Sequence, residues 1–162
     1  MFDHRVLLVT TGDNRVRQQL QSLCGPGLQT VDCMGLTRTH LFQRLRSTSY
    51  AILITYRCPY ILPHDIIGRA TLSALNIHPS LLPAYAGLNP WDEMLRNDEK
   101  HGGVTIHVLT DNVDQGQVIA SQSLALDFSQ GLTYNRNQAD ELASVMIREV
   151  LTHIAGGMVL KC

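Results

Sequence analysis

Long apolar runs are missing from this chain. No stretch approaches the roughly 18–20 apolar residues that a membrane-spanning helix requires, so no membrane partner is expected. Excess positive charge is missing too. Thirteen Lys and Arg stand against 14 Asp and Glu, for a net charge of −1 and a pI near 6.6, which leaves no electrostatic footprint for nucleic acid. The opening Met1-Phe2-Asp3-His4-Arg5 lacks the long apolar region and small-residue cleavage site of a secretory signal; a cytoplasmic protein is expected. The cysteines Cys24, Cys33, Cys58 and Cys162 show no C-x-x-C spacing and no matching histidine pair. They read as reduced, mostly buried small hydrophobes, with a catalytic or zinc role as the lesser alternative. No metal is expected. Repeats, linkers and low-complexity segments are absent as well, so residues 1–162 read as one compact domain. At 44% hydrophobic and 17% charged residues, the composition suits a globular enzyme with a real core.

The chain alternates strand and helix signals. Arg5 to Thr10 is a short apolar run closed by Thr-Thr-Gly, a buried strand and turn. Asp13 or Asn14 can cap a helix with Val16, Leu20 and Leu23 at helical spacing, broken by Gly25-Pro26-Gly27. A weaker strand falls at Leu28 to Met34, and Thr37 can cap a helix to about Arg46. Tyr50 to Tyr56 is a second buried strand. A loop from Arg57 to Pro63 and a helical turn at Asp65 to Gly68 lead to the strand from Leu72. Further on, Pro90 to about Arg96 reads as a helix, and Gly103 to Thr110 and Gln117 to Leu126 as strands. A long helix from Tyr134 to about His153 follows, opened by Asp127 or Thr133. Such alternation predicts βαβ units and a parallel sheet.

The stretch Asn76-Ile77-His78-Pro79-Ser80-Leu81-Leu82-Pro83 organises the rest. The strand stops at Pro79, which cannot donate to a ladder. Asn76 and His78 are two apart, so they project from one face of an extended segment. A carboxamide and an imidazole at a strand's carboxyl end stand where open α/β sheets bind ligands. The plainer alternative is that both side chains satisfy loop backbone groups. The loop Thr10-Thr11-Gly12-Asp13-Asn14 precedes a helix, a general anion site. With one glycine and an aspartate, it reads instead as an ordinary capped turn.

Three blocks in order carry a family resemblance: Asn76-x-His78-Pro79-Ser80-Leu81-Leu82-Pro83-x-Tyr85-x-Gly87, then Gly103-Val104-Thr105-Ile106-His107, then Asp114-x-Gly116-x-Val118-Ile119. Together they resemble the folate-dependent formyltransferases, strongly from Tyr50 to Leu126 and weakly before. Asn76 and Asp114 are 38 residues apart (114 − 76), the separation seen in that family. The resemblance implies a three-layer Rossmann-like α/β fold, mostly parallel with antiparallel carboxyl-terminal strands. It implies transfer of a formyl group from 10-formyltetrahydrofolate to a primary amine, with Asn76, His78 and Asp114 catalytic. Asn76 and protonated His78 would donate to the formyl oxygen while Asp114 holds His78 and shuttles the amine proton. The folate would lie against Tyr60, Ile61 and Leu62 on one side and the backbone of Leu109, Thr110, Asp111, Val113 and Asp114 on the other. His107 reads as a core histidine beside the site, Ser80 as turn chemistry, and Gly87 as a close turn or positive φ. Arg57 could face ligand or solvent. The remaining histidines, His4, His40, His64, His101 and His153, are expected to be exposed.

Departures from the family bear on the acceptor. Thr10 to Asn14 retains little of the phosphate loop of glycinamide ribonucleotide formyltransferases. No basic domain of the methionyl-tRNA formyltransferase type follows the long helix, and the segment before Tyr50 is short. Gly87-Leu88-Asn89-Pro90-Trp91 resembles the sugar and peptide-synthetase branches. A small-molecule or carrier-bound amine, of amino-sugar or aminoacyl type, is therefore the expected acceptor, and a homodimer through peripheral helices is compatible with the sequence. The competing expectations are a glycinamide ribonucleotide formyltransferase, a formyltetrahydrofolate hydrolase, or a folate-binding protein without turnover.

Overall fold

A computed structural model describes residues 4–157; Cys162 lies outside them. The chain runs β1 (Val6–Thr10), α1 (Arg15–Cys24), β2 (Leu28–Asp32), α2 (Arg38–Ser47), β3 (Ile52–Tyr56), α3 (His64–Ile67), β4 (Ser73–His78), α4 (Pro90–Arg96), β5 (His101–Val108), β6 (Val118–Ala125) and α5 (Leu132–Ala155). Asn14 caps α1, its side chain accepting from the Arg17 N–H, and Thr37 caps α2 through the His40 N–H. The strands form one sheet in the order β2-β1-β3-β4-β5-β6. β1 pairs in parallel with β2 and β3, and β3 with β4; β5 and β6 then run antiparallel. The expected Rossmann-like fold with antiparallel carboxyl-terminal strands is the one observed.

Side-chain alternation divides the core between the two faces. Val6, Leu8, Ile52, Ile54, Leu75, Ile77 and Ile106 pack against Val16, Leu20 and Cys24 of α1 and the Ala139–Ile154 stripe of α5. Leu7, Val9, Leu53 and Ala74 face Leu41, Phe42 and Leu45 of α2 and Ile66 and Ile67 of α3. The central strands β1 and β3 are buried on both faces, which is why both are almost wholly apolar. By the same alternation, Thr55, Asn76 and His78 fall on the Leu53/Ala74 face, and His107 lies opposite Asn76 in the β4–β5 register.

The start of α5 differs from the expectation. Asp127 caps a short 3₁₀ turn, Phe128–Gln130, rather than the long helix. The helix begins at Leu132, behind Gly131 at φ +89°. No side chain caps α5; fully buried Asn135 instead ties the preceding turn to the helix from inside, its Oδ1 accepting the Asp127 N–H and its Nδ2 donating to the carbonyls of Asp127 and Gly131. A buried asparagine eight residues from its partner leaves no signal at the positions where caps are sought.

Candidate active site

A row of three polar side chains crosses the sheet at the carboxyl end of β4. Register places Thr55 beside Asn76, and Asn76 beside His107. The Thr55 hydroxyl donates to Asn76 Oδ1 at 2.7 Å, which turns the amide nitrogen the other way. Asn76 Nδ2 then lies 3.0 Å from His107 Nε2 and 3.3 Å from Asp114 Oδ1. His107 Nδ1 donates to the Val108 carbonyl at 2.9 Å. Its Nε2 can therefore accept from the carboxamide when bare, or donate to Asp114 Oδ1, 3.3 Å away, when protonated.

Asp114 lies between two imidazoles. Oδ2 accepts the Gly87 N–H at 2.7 Å and stands 3.4 Å from His78 Nδ1. Asp114 holds φ +54°, Tyr85 φ +55° and Gly87 φ +107°. Left-handed backbone at bulky residues is uncommon and persists where surroundings enforce it. Two residues further, a Cβ on Gly116 would collide with the Val108 carbonyl, so the loop closes tightly onto β5. Burial pushes the Asp114 carboxyl up, but the His107 hydrogen bond, the Gly87 N–H and the nearby imidazole charge together hold it below the usual range.

His78 is 4% exposed, and both its nitrogens face acceptors. Nε2 lies 2.9 Å from the Tyr85 carbonyl, and Nδ1 faces Asp114. Burial nevertheless pushes its pKa down, helped by the charge of His107, and outweighs the opposing pull of the Tyr85 carbonyl and Asp114. In the free protein His78 is thus held toward the neutral form, not the protonated form that the resemblance implies.

These groups lie at the floor of a cleft of about 530 Å³, within the range of small-molecule sites. Tyr60, Ile61 and Leu62 line it, and so do Leu109, Thr110, Val113 and Asp114. Asp111 does not line the cleft; it faces His64 at 3.5 Å. Asn112, within the expected Leu109 to Asp114 stretch, does line it, as do Leu88, Trp91 and Arg136, three residues that the sequence reading did not place there. Thr55 was missed as well, although a threonine one strand over from Asn76 could have been found by aligning β3 with β4. Ser80 serves its turn, donating to the Ala84 carbonyl at 2.7 Å. Arg57, at φ +54°, grips Asp140 of α5 with both carboxylate oxygens 2.6 Å from Nη2, and the Tyr56 hydroxyl donates to the same carboxylate. This cluster ties the end of β3 to α5 and gives the cleft a fixed side wall. Of the scattered histidines, His40, His64, His101 and His153 are exposed and His4 is half-buried.

The loop after β1 is closed from within. Asp32, at the end of β2, accepts the Gly12 N–H with both oxygens at 3.2 Å and the Met34 N–H at 2.8 Å. The chain's own carboxylate occupies the donor that an incoming anion would use. Among the described residues no group of His, Cys, Asp and Glu is arranged to hold a metal ion, and no helix is long and apolar enough to cross a membrane.

Comparison with known proteins places this chain in a family. Residues 6–151 match the formyl transferase family, and the chain belongs to that family. It is similar to the methionyl-tRNA formyltransferase of Chlorobium phaeovibrioides, 35% identical over 99 residues, covering 61% of this chain and 31% of that protein. The chain spans less than half the length of the curated relatives it matches. Its fold matches glycinamide ribonucleotide transformylase 1 of Symbiobacterium toebii with a TM-score of 0.79, at 20% identity, covering 98% of this chain and 91% of the other. It also matches HypX of Aquifex aeolicus in complex with tetrahydrofolic acid, with a TM-score of 0.80 at 19% identity, covering 97% of this chain and 28% of the other.

Proposed function

We propose that the cleft transfers a formyl group from 10-formyltetrahydrofolate to a primary amine, with Asn76, His78 and Asp114 as catalytic residues. The observation that carries this reading is the convergence of the three on one point: a carboxylate within 3.3–3.4 Å of a carboxamide and an imidazole, at the floor of an open cleft. Family membership and a tetrahydrofolate-bound structure of the same fold support it.

The walls fit a flat ring. Ile61, 52% exposed, and Val113, 39% exposed, both line the cleft, and apolar surface left open within a cleft suits a heterocycle. The folate would supply a formyl carbon on a nitrogen leaving group. The chain supplies donors for the formyl oxygen and an acceptor for the amine proton. At rest those donors are engaged elsewhere. Asn76 Nδ2 reaches Asp114 over a long 3.3 Å contact, and His78 Nε2 gives its proton to the strained Tyr85 residue's carbonyl. A formyl oxygen would take the place of one of these acceptors. Asp114 would receive a proton from the attacking amine, directly or through water, and with His78 return one to the departing nitrogen. A neutral His78 beside an ionised Asp114 is the form ready to accept, so the proton brought by the amine creates the imidazolium on demand.

The acceptor is an amine on a small molecule or carrier. A phosphorylated acceptor seated at the β1 loop is disfavoured by Asp32, which holds the Gly12 N–H. With a net charge of −1, transfer RNA should bind weakly, and what binding occurs should lack a steep salt dependence.

The test follows tetrahydrofolate release from the formyl donor, with and without a panel of amines that includes amino sugars, carrier-bound aminoacyl groups and aminoacyl-tRNA. Release that requires an amine identifies a transferase and its acceptor together. Release at the same rate without any amine would make the protein a hydrolase; binding without release would make it a folate-binding protein.

A further inference from the structure

Two thiols outside the polar network meet at the cleft wall. Cys33 follows β2 directly and is 3% exposed in the core beneath α2 and α3. Its N–H bonds the Thr10 carbonyl at 2.7 Å and its carbonyl accepts the Leu36 N–H at 3.1 Å, so its backbone is fixed on both sides. Cys58 lies in the loop after β3, half-buried, and lines the cleft. Their sulfurs are 3.9 Å apart, with Cys33 donating to Cys58. Cys58 Sγ is also 3.4 Å from the carbonyl of Tyr60, a residue of the cleft wall. No disulfide links them.

We propose that Cys33 and Cys58 are a reversible dithiol–disulfide pair, oxidised by low-molecular-weight disulfides entering through the cleft, with Cys58 attacking and Cys33 resolving. The division of roles follows from access and from charge. Cys58 is the sulfur an incoming reagent can reach. The hydrogen bond from Cys33 favours the Cys58 thiolate and outweighs the opposing effect of burial, leaving the Cys58 pKa below the ordinary thiol value. Cys33 is held protonated by the Cys58 hydrogen bond, by burial and by the charge of Asp32. Cys24 is a built-in control: it lies on the opposite face of the sheet, and burial pushes its thiol up to about 11.

The chemistry balances in two exchanges. The Cys58 thiolate attacks one sulfur of the external disulfide, forming a mixed disulfide and expelling one thiolate. Cys33 then gives up its proton and attacks Cys58 Sγ, expelling the second. Two protein thiols are oxidised, one external disulfide is reduced to two thiols, and excess thiol reverses both steps. An S–S bond is about 2.05 Å long, so the sulfurs must close much of their present gap. With Cys33 pinned by its neighbours, the loop carrying Cys58 does most of the moving and draws Pro59 and Tyr60 with it. Resting on the function proposed above, this displacement of the folate wall should weaken folate binding about tenfold, the scale of one lost hydrogen bond.

The experiment treats the folded, full-length protein with oxidised glutathione, quenches free thiols, and maps linked peptides by mass spectrometry. The expected product is a Cys33–Cys58 bridge, with Cys24 unmodified and the bridge cleared by dithiothreitol. In Cys33→Ser the reaction should stop at Cys58-bound glutathione; in Cys58→Ser, Cys33 should stay unmodified. Stable glutathionylation of Cys58 in the wild type, a bridge to Cys162 instead, or Cys33 reacting equally well in Cys58→Ser would each overturn the pairing. Because wild-type mapping decides the matter, poor folding of a variant leaves the proposal exposed. Folate titration of the reduced and bridged forms is the second arm. Should neither form bind folate while the bridge forms, the proposed function fails and the dithiol stands; equal binding by both would remove the link between them.

Discussion

Two carboxylates, Asp32 at the end of β2 and Asp114 in the loop between β5 and β6, differ in the kind of partners they hold. Asp32 is surrounded by backbone: the N–H groups of Gly12 and Met34. Asp114 has one backbone N–H, from Gly87, and in addition the Asn76 carboxamide and two imidazoles. In both the carboxyl pKa is lowered, by backbone N–H groups first for Asp32, and against burial for Asp114. Direction of shift therefore does not separate a structural carboxylate from a chemical one. What separates them is whether the partners have protons that can move. Backbone amides do not titrate, so Asp32 is a plug; the His78 imidazole beside Asp114 does, and the proposed proton-passing role of Asp114 rests on that difference.

The largest effect should come from removing the charge at the reactive end of this comparison. Asp114→Asn preserves shape but abolishes the proton acceptor. Turnover is expected to fall by roughly 10²–10⁴, the scale for losing an acid–base partner. Folate affinity should change little, because that wall is mainly backbone and apolar surface, and the melting temperature should stay near wild type. If Asp114 is a plug like Asp32, stability and folate affinity will instead fall together while single-turnover rates hold.

A smaller effect is expected at His107. Its ring reaches both Asn76 and Asp114 and is 1% exposed, so it acts through them rather than on substrate. His107→Gln should lower kcat about tenfold, the scale of one weakened hydrogen bond, with KM for the folate nearly unchanged. The acidic limb of the pH–rate profile should shift at the same time. A merely space-filling histidine would leave that limb in place.

Much of the reactive end was legible in the sequence because its cause is local. The period-two spacing of Asn76 and His78 before Pro79 fixes their common face, and β1 and β3 announce themselves as apolar runs. The position of Asp114 came from resemblance alone, since nothing local predicts a non-glycine residue at φ +54°. The rest depends on register and distance along the chain. Thr55 and His107 join Asn76 only once three strands are aligned, Arg57 meets Asp140 across 83 residues, and Cys33 meets Cys58 across 25. Asp32 illustrates the limit well. The aspartate noticed beside the β1 loop was Asp13, whose carboxylate instead accepts from Gln18 at 3.0 Å; the one that fills the loop arrives from the neighbouring strand.

Asp32→Asn sharpens the comparison from its quiet end. Both Asp32 oxygens are engaged by N–H donors, and an asparagine can keep one of them. Turnover should remain within about twofold of wild type, as for substitutions remote from the chemistry. Inorganic phosphate should not inhibit the wild type competitively with the amine. Competitive inhibition would mean that phosphate displaces Asp32 and that the loop is a binding site after all.

The smallest effect is thermal and distinguishes the two regions by pH. His78 has a folded pKa below its ordinary 6.5, so between those values the unfolded chain binds a proton that the folded one does not. Stability then rises with pH through that window and is lost as pH falls below about 6.5. Asp32 and Asp114 have folded values below 3.8. Their contribution is fully present above the unfolded carboxyl pKa and is lost only as pH falls through the depressed values. Melting temperature should therefore decline in two separate steps on acidification, the first belonging to the site and the second shared with the plug. His78→Gln should flatten the first step and leave the second. Asp32→Asn should leave the first and diminish the second. Calorimetric melts of the three proteins from about pH 8 downward read this directly. A first step that survives in His78→Gln would show that burial does not hold His78 neutral, and with it would go the account of how the amine's own proton charges the site.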